Sequence, residues 1–313
     1  MADKQSTRIA YGEALKELGG EKKNVLVCDA DLAHATMTAN FAGSYPDRFY
    51  NFGIAEAEMV AAASALAHCG YTVFASTFAV FGAGRAFEQV RNAVCYTKAN
   101  VKLACSHAGP SCGEDGGSHQ AVEDISLMRT LPNMTVVVPA DAEEMKKAVR
   151  AVAELDGPVY LRTGRLPTDV ITTADTPFEL GKAVQLMDGS DVAIIACGIM
   201  VPQAVYAAQA LAKEGVSARV IDMHTIKPLD REAVLDAART CGAVVTAEEH
   251  SIIGGLGSAV AEVLAENAAG VPFERVGIKD RFGQSGKPPM LFEEYGLTDK
   301  AICEAVRRVL AAK

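Results

Sequence analysis

Short apolar runs alternate with helical stretches along most of this chain, and this alternation restricts the fold more than any other feature. The run Tyr71 to Thr77 is rich in β-branched and aromatic residues, which favour strands. Alanine-rich stretches such as Glu56 to Cys69 and Val201 to Lys213 indicate helices between the strands. Because strands that alternate with helices pair in parallel, we predict an α/β protein built from doubly wound sheets.

The alternation is interrupted once, between residues 163 and 180, which include Pro167, Pro177 and several threonines. A chain of 313 residues is long enough for two hydrophobic cores. We therefore predict a first α/β domain over residues 1–165, a linker over 166–181, and a second, smaller α/β domain over 182–313.

Composition and charge narrow the class of protein. The net charge is −9 and no basic run is present, so nucleic acids and anionic membrane surfaces are poor partners. The first six residues, Met-Ala-Asp-Lys-Gln-Ser, are mostly polar and do not resemble the apolar core of a secretory signal, and no apolar run approaches the ~20 residues of a membrane span. Eight scattered cysteines form no Cys-x-x-Cys pair, which favours a reducing, cytoplasmic location and, with six histidines in no ligand spacing, argues against a zinc site.

The segment 106–124 is the richest in chemical groups. It contains His107, His119 and four carboxylates, among them Asp115, together with four glycines, and it follows an apolar run that we predict to be a buried strand. Open α/β sheets bind ligands in polar loops of this kind, where histidines and acids can transfer protons. Cys112 is a possible nucleophile here, although a tolerated small residue is the favoured interpretation.

Two other segments are ambiguous by themselves. Glu56 begins a predicted helix, where a carboxylate either complements the helix dipole or has a functional role. Phe78 and Phe81 lie at a strand-to-helix turn, and their spacing favours core packing over stacking on a flat ring.

Together, these three segments resemble the transketolase family of thiamine diphosphate enzymes. Residues 113–120 read Gly-Glu-Asp-Gly-Gly-Ser-His-Gln and are similar to the family signature Gly-Glu-Asp-Gly-Pro-Thr-His-Gln. Other matching segments are Thr7-Arg8, Ala30-Asp31-Leu32, Leu131-Pro132-Asn133 and Pro139-Ala140-Asp141. The resemblance covers essentially the whole chain, and it implies that the first domain binds the cofactor's pyrimidine ring while the second is the transketolase C-terminal domain.

The resemblance implies roles around the cofactor. Glu56 matches the glutamate that hydrogen-bonds the aminopyrimidine ring and favours its imino tautomer, which then removes the thiazolium proton to give the ylid. Phe78 and Phe81 match aromatic residues that pack against the pyrimidine, and which of them stacks is open. Asp31 is a further contact near the cofactor.

The resemblance also implies roles around the substrate. His107 and His119 match histidines that line the substrate channel, so they join Glu56 as catalytic candidates, and Asp115 matches an acid that reads a substrate hydroxyl. Arg8 matches a contact to the sugar phosphate, and either Arg162 or Arg165 supplies another.

Two positions depart from the family pattern. Ala35 stands where the family has a phosphate-binding serine, with Thr36 beside it, and Gly117 replaces the proline of the signature.

The chain lacks the Gly-Asp-Gly motif through which the family binds Mg²⁺ and the diphosphate. The run Gly254-Gly255-Leu256-Gly257 could bind an anion, but we interpret it as a close-packing turn. The resemblance therefore implies a separate N-terminal subunit that carries the Mg²⁺ ligands, with no metal ligands on this chain. We expect a two-plus-two heterotetramer that includes self-dimerisation through the pyrimidine-binding and C-terminal domains.

The predicted function is the C-terminal subunit of a split transketolase that moves a two-carbon ketol unit between sugar phosphates, as in pentose phosphate metabolism. The alternatives are a 1-deoxyxylulose-5-phosphate synthase-like enzyme, a 2-oxoacid dehydrogenase beta-type subunit and a non-catalytic homologue. The signature segment favours transketolase over the first two, and retention of Glu56, His107, Asp115 and His119 argues against the third. His224 and His250, in the second domain, are expected to have structural or interface roles.

Overall fold

The computed structural model describes residues 4–313 of the protein. Over these residues the chain forms fourteen strands: β1 (Lys4–Gln5), β2 (Val25–Asp29), β3 (Phe49–Asn51), β4 (Thr72–Phe78), β5 (Val101–Ser106), β6 (Thr135–Val137), β7 (Val159–Arg162), β8 (Thr168–Asp169), β9 (Val184–Met187), β10 (Val192–Ala196), β11 (Ala218–Asp222), β12 (Thr225–Lys227), β13 (Val244–Ser251) and β14 (Phe273–Ile278).

Helices separate most of these strands. They are α1 (Thr7–Glu21), α2 (Ala33–Thr36), α3 (Ala39–Ser44), α4 (Glu56–His68), α5 (Phe87–Gln89), α6 (Asp124–Thr130), α7 (Ala142–Glu154), α8 (Met200–Ala212), α9 (Arg231–Cys241), α10 (Leu256–Glu266), α11 (Pro288–Tyr295) and α12 (Asp299–Ala311). Two π-helical segments, Val80–Arg85 and Val90–Cys95, flank α5, and 3₁₀ turns occupy Pro46–Arg48 and Pro110–Asp115.

The first sheet has seven strands in the order β12-β6-β7-β5-β4-β2-β3, and all its pairs are parallel except β12 with β6. Helices α1, α3 and α7 cover one face, and α4, α6 and the π-helical segments cover the other. Because helices cover both faces, strands β2, β4 and β5 are buried along their whole length, as is typical of parallel sheets. The predicted doubly wound α/β fold is confirmed.

The second sheet has five strands in the order β14-β13-β10-β11-β9, with only β9 antiparallel to its neighbour. Helices α8 and α12 pack on one face, and α9 and α10 pack on the other. The sequence predicts a terminal helix over Asp299 to Ala311 capped by Thr298, and helix α12 has these bounds, with the Thr298 hydroxyl accepting the Ala301 N–H.

The two sheets are joined more closely than the sequence pattern indicates. Strand β12 comes from the C-terminal half but extends the first sheet, and the Val138 N–H donates to the His224 carbonyl at 2.7 Å. The predicted linker also packs against the first domain. Its strand β8 pairs with β1, and the Ile171 and Thr172 N–H groups both donate to Asp141 Oδ2 at 2.7 Å. A single hydrophobic cluster runs through both sheets.

No helix among residues 4–313 is both long enough and apolar enough to cross a bilayer.

Candidate active site

The candidate residues gather at the carboxyl edge of the first sheet. Asp31 follows β2, Glu56 begins α4 just after β3, Phe78 ends β4, and His107 follows β5. These strands are parallel neighbours, so their carboxyl ends meet at one edge, where open α/β sheets bind ligands. The fold therefore brings together four segments that are separate in the sequence.

Glu56 is a buried carboxylate at the wall of an open cleft. Its side chain is only 2% exposed, and Arg85 Nη1 donates to its two oxygens at 2.9 and 3.1 Å. Asp31, Ile54, Phe81 and Arg85 line the same cleft, whose volume is about 320 Å³. Ile54 is 79% exposed, so one side of the cleft is open to solvent.

Arg85 was not predicted from the sequence. It is half-exposed, and its guanidinium lies over the Phe81 ring, 4.3 Å from the ring centroid. Both residues belong to the first π-helical segment, Val80–Arg85, which overlaps the start of a helix that the sequence pattern predicts over residues 82–97. π-helical turns often occur at functional sites, and this one places Phe81 and Arg85 beside Glu56.

The rings of two phenylalanines and two histidines form a stacked cluster next to this cleft. Phe78 lies parallel to His107, with ring centroids 3.9 Å apart, and also parallel to Phe81 at 5.9 Å. His119 meets both phenylalanines edge-on, at 6.3 Å from Phe78 and 5.5 Å from Phe81. Phe78 is buried, whereas Phe81 lines the cleft.

His107 is held in a strained and buried position. Its φ is +60°, which is rare for a residue with a side chain, and Nδ1 is hydrogen-bonded to the Ser106 hydroxyl at 2.8 Å. Burial, and then the positive charges of Arg8 and Arg165, lower the pKa of His107 to about 3. The imidazole is therefore neutral at neutral pH and can donate or accept a hydrogen bond.

Arg8 and Arg165 make this region positively charged. Arg8 Nη1 donates to the Ala35 carbonyl at 2.9 Å, while its Nε is buried without a partner among residues 4–313. Burial and the nearby Arg165 charge lower the pKa of Arg8. Arg165 donates to the Cys112 carbonyl at 2.6 Å and lies 3.3 Å from Asp115. Such a pair of guanidiniums suits an anionic substrate group.

The suggested phosphate contact from Arg162 does not fit the structure. Its side chain is buried, and Nε and Nη2 donate to the Asp124 carboxylate at 2.7 and 3.1 Å. Nη2 also donates to the Glu249 carbonyl at 3.0 Å. Because the guanidinium is held by groups inside the protein, Arg165 is the better candidate of the two.

Two nearby groups are unsuited to the chemistry that their positions suggest. The Thr36 hydroxyl is buried and donates to Asp29 Oδ2 at 2.7 Å, so it does not replace the hydroxyl that Ala35 lacks. Burial, reinforced by the negative charge of Asp115, raises the pKa of the Cys112 thiol to about 12, which keeps it protonated and a poor nucleophile.

The glycine run at the start of α10 binds a carboxylate of the protein itself. The Leu256 and Gly257 N–H groups donate to Glu248 at 2.7 and 2.8 Å, and a Cβ at Gly255 would lie 2.0 Å from Glu248 Oε2. These contacts agree with the interpretation as a close-packing turn. Among residues 4–313, no group of three or more His, Cys, Asp or Glu side chains is arranged to hold a metal ion.

Two family profiles match the chain: the transketolase pyrimidine-binding domain over residues 3–169, and the transketolase C-terminal domain over residues 181–302. The chain belongs to the transketolase family. A Methanocaldococcus jannaschii protein named as a transketolase C-terminal section is 47% identical over 301 residues, which cover 96% of this chain and 94% of that protein.

Two further relatives have names that bear on assembly and substrate. A Clostridium protein named 6-deoxy-6-sulfo-D-fructose transketolase subunit is 42% identical, covering 98% of this chain and 95% of its own length. A solved structure described as a split gene transketolase, inactive beta4 tetramer, has 52% identity and a TM-score of 0.92, covering 98% of both chains. This chain is therefore a C-terminal subunit of the transketolase family, which confirms the family resemblance.

Proposed function

We propose that this chain and an N-terminal subunit together form a thiamine diphosphate-dependent transketolase. The complex transfers a two-carbon ketol unit from a ketose phosphate to an aldose phosphate. The observation that carries the proposal is the buried Glu56 carboxylate in an open cleft, beside the stacked cluster of Phe78, Phe81, His107 and His119.

The residues present fit the pyrimidine end of the cofactor. Glu56 is a buried carboxylate whose hydrogen-bonding partner, Arg85, is half-exposed. Phe81 offers a ring at the cleft, which Asp31 also lines. When bound, thiamine diphosphate supplies the nucleophilic carbon that accepts the two-carbon unit. Glu56 would hold a proton at the ring nitrogen, and Phe81 would orient the ring.

The diphosphate and Mg²⁺ need hard oxygen ligands. The cleft residues of this chain offer Asp31 and Glu56 but no third carboxylate. We therefore assign the Mg²⁺ ligands to the N-terminal subunit. Because the cleft is open at Ile54, a second polypeptide has access to its outer side.

The substrate-binding residues are assigned by charge and hydrogen bonding. His107 is neutral, and Ser106 is hydrogen-bonded to its Nδ1, so Nε2 can form a hydrogen bond with a substrate hydroxyl or carbonyl group. His119 faces the same aromatic pair, and Asp115 is positioned by Arg165. Arg8 and Arg165 would bind the anionic end of the sugar.

A sulfonated ketose is the second candidate donor. Positions 35 and 36, near Arg8, offer an anion no free hydroxyl, because Ala35 has none and the Thr36 hydroxyl is bound to Asp29. A sulfonate carries one negative charge and needs fewer donors than a phosphate dianion, and the Clostridium relative is named for a 6-sulfo sugar. Donor preference therefore needs a direct comparison of the two sugar classes.

The test uses the chain reconstituted with its N-terminal subunit, thiamine diphosphate and Mg²⁺. We expect ketol transfer from the complex and none from this chain alone. Glu56→Gln should lower the transfer rate by roughly 10²-fold or more, the typical contribution of a positioned proton-transferring group. Glu58→Gln is the matched control, because Glu58 lies in the same helical turn but is exposed.

Three results would contradict the proposal. Turnover by this chain alone would exclude the split enzyme, and full activity of Glu56→Gln would remove Glu56 from the reaction. Condensation of pyruvate with an aldose phosphate, or oxidative decarboxylation of a 2-oxoacid, without ketol transfer would favour one of the alternative enzymes.

A further inference from the structure

Glu249, in the second domain, supports the loop that carries the candidate substrate residues. We call residues 107–120 the substrate loop. Glu249 lies in β13 and is 4% exposed, and its Oε1 accepts the Ser111 backbone N–H at 2.6 Å. The loop backbone lies directly against the carboxyl group, because a Cβ at Gly109 would be 2.5 Å from the Glu249 carboxyl carbon.

The substrate loop contains left-handed backbone. His107, Gly109, Gly113 and Gly116 all have φ between +60° and +82°, and the backbone hydrogen bonds inside the loop are those of tight turns, such as the Cys112 N–H to the Gly109 carbonyl. The left-handed backbone of a residue such as His107 costs about 1–3 kcal/mol and persists only where the surroundings hold it. The contact from Glu249 to Ser111 lies between the two substrate candidates, His107 and Asp115.

Glu249 is itself fixed from the first domain. Arg162 Nη2 donates to the Glu249 carbonyl at 3.0 Å, and Arg162 Nη1 lies 3.8 Å from Glu249 Oε2. The two carboxyl oxygens of Glu249 therefore have different neighbours: Oε1 is bonded to the loop, and Oε2 lies near Arg162. The neighbouring Glu248 is equally buried, but it binds N–H groups of its own domain and does not contact the substrate loop through a hydrogen bond within residues 4–313.

We propose that Glu249 is a positioning residue that holds the substrate loop, and with it His107 and Asp115, in the geometry that binds the donor sugar. The proposal rests on the proposed function for the claim that this loop binds substrate. The contact itself belongs to this chain alone and can be measured without turnover.

Two substitutions separate the length of the side chain from its carboxyl group. Glu249→Asp keeps a carboxyl group beside Arg162 but is one methylene too short to reach Ser111, whereas Glu249→Gln keeps the length and an acceptor oxygen but replaces the carboxyl group by an amide. Leaving the buried Ser111 N–H without an acceptor corresponds to roughly a tenfold change or more. In the reconstituted complex we expect Glu249→Asp to raise KM for the donor about tenfold with a smaller change in kcat, and Glu249→Gln to restore KM to near the wild-type value.

Hydrogen exchange of the isolated full chain gives the independent readout. Peptides that include Ser111 should exchange about tenfold faster in Glu249→Asp and at the wild-type rate in Glu249→Gln. Glu248→Asp is the matched control, and it should leave both exchange in the loop and donor KM unchanged.

Wild-type exchange and KM in Glu249→Asp would overturn the proposal, as would equal impairment of the Asp and Gln variants. Absence of ketol transfer by the wild-type complex would instead overturn the proposed function, and the exchange pattern would then decide the role of Glu249 in holding the loop.

Discussion

Replacing Arg162 with methionine tests whether this arginine stabilises the fold or binds substrate. The change leaves the fully buried Asp124 carboxylate with the Tyr160 hydroxyl, at 2.7 Å, as its remaining side-chain donor. Although burial opposes ionisation of Asp124, the Arg162 charge holds its pKa below the usual range. Removing one partner of a buried ion pair costs about 3–5 kcal/mol, because the other charge is left uncompensated.

This loss of stability corresponds to a decrease in the melting temperature. A chain of 313 residues has an unfolding entropy of about 0.66 kcal/mol per kelvin, so Arg162→Met should lower the Tm by about 5–8 °C in scanning calorimetry. The matched control is Arg165→Met, whose side chain is partly exposed. We expect it to change the Tm by about 1 °C or less and to raise KM for phosphorylated donors in the complex.

The reasoning also predicts partial recovery. Arg162→Met combined with Asp124→Asn removes both charges, and the double variant should melt above Arg162→Met alone. If Arg162→Met melted at the wild-type temperature and instead weakened binding of phosphorylated sugars, the assignment of Arg162 to the fold would be wrong.

Three other predictions concern stability. Thr298→Ala removes the N-cap of α12 and should cost about 1 kcal/mol, or about 1–2 °C in calorimetry; no change would mean that the cap is replaced by solvent. Asp141→Ala removes the acceptor of the Thr172 N–H in the linker and of the Glu144 N–H at the start of α7. It should therefore speed limited proteolysis within residues 166–181, whereas Thr298→Ala should not. Burial lowers the pKa of His107 to about 3 and that of His224 to about 4, so both histidines are protonated more readily in the unfolded chain. The free energy of unfolding is therefore unaffected by them above about pH 6.5 and decreases as the pH falls toward 4. The fall in Tm between pH 7 and pH 4 should therefore be smaller in His224→Phe, and an equal fall would exclude His224 as a cause.

Local patterns predict those elements whose signals lie within the element itself. Helix α12 combines an N-capping threonine with an amphipathic pattern, and β14, predicted over Phe273 to Ile278, is a short run next to a proline. Both elements have the bounds that the sequence predicts. Strand β12 has three residues and pairs with a strand from the other half of the chain. No local pattern encodes such a pairing, since its stability comes from a partner that is distant in sequence.

In the candidate site, too, some features follow from local sequence and others depend on contacts between residues that are distant in sequence. Glu56, Phe78 and His107 follow or end strands, so the parallel topology alone predicts that they meet at one edge. Arg162 and Arg165 look equivalent in the sequence, because both lie at the end of the same short apolar run. What separates them is Asp124, whose carboxylate lies against β7 only in the folded protein.

Glu249 links the second domain to the candidate active site. The first domain supplies the cleft and the substrate loop, whose backbone is left-handed at His107 and at three glycines. Two residues of the second domain hydrogen-bond the substrate loop. Glu249 accepts the Ser111 N–H, and the Ser285 hydroxyl donates to the Glu114 carbonyl at 2.7 Å. Because β12 also completes the first sheet, movement of the second domain would displace this loop. The C-terminal domain therefore contributes to the candidate active site without supplying a group that touches the cofactor cleft.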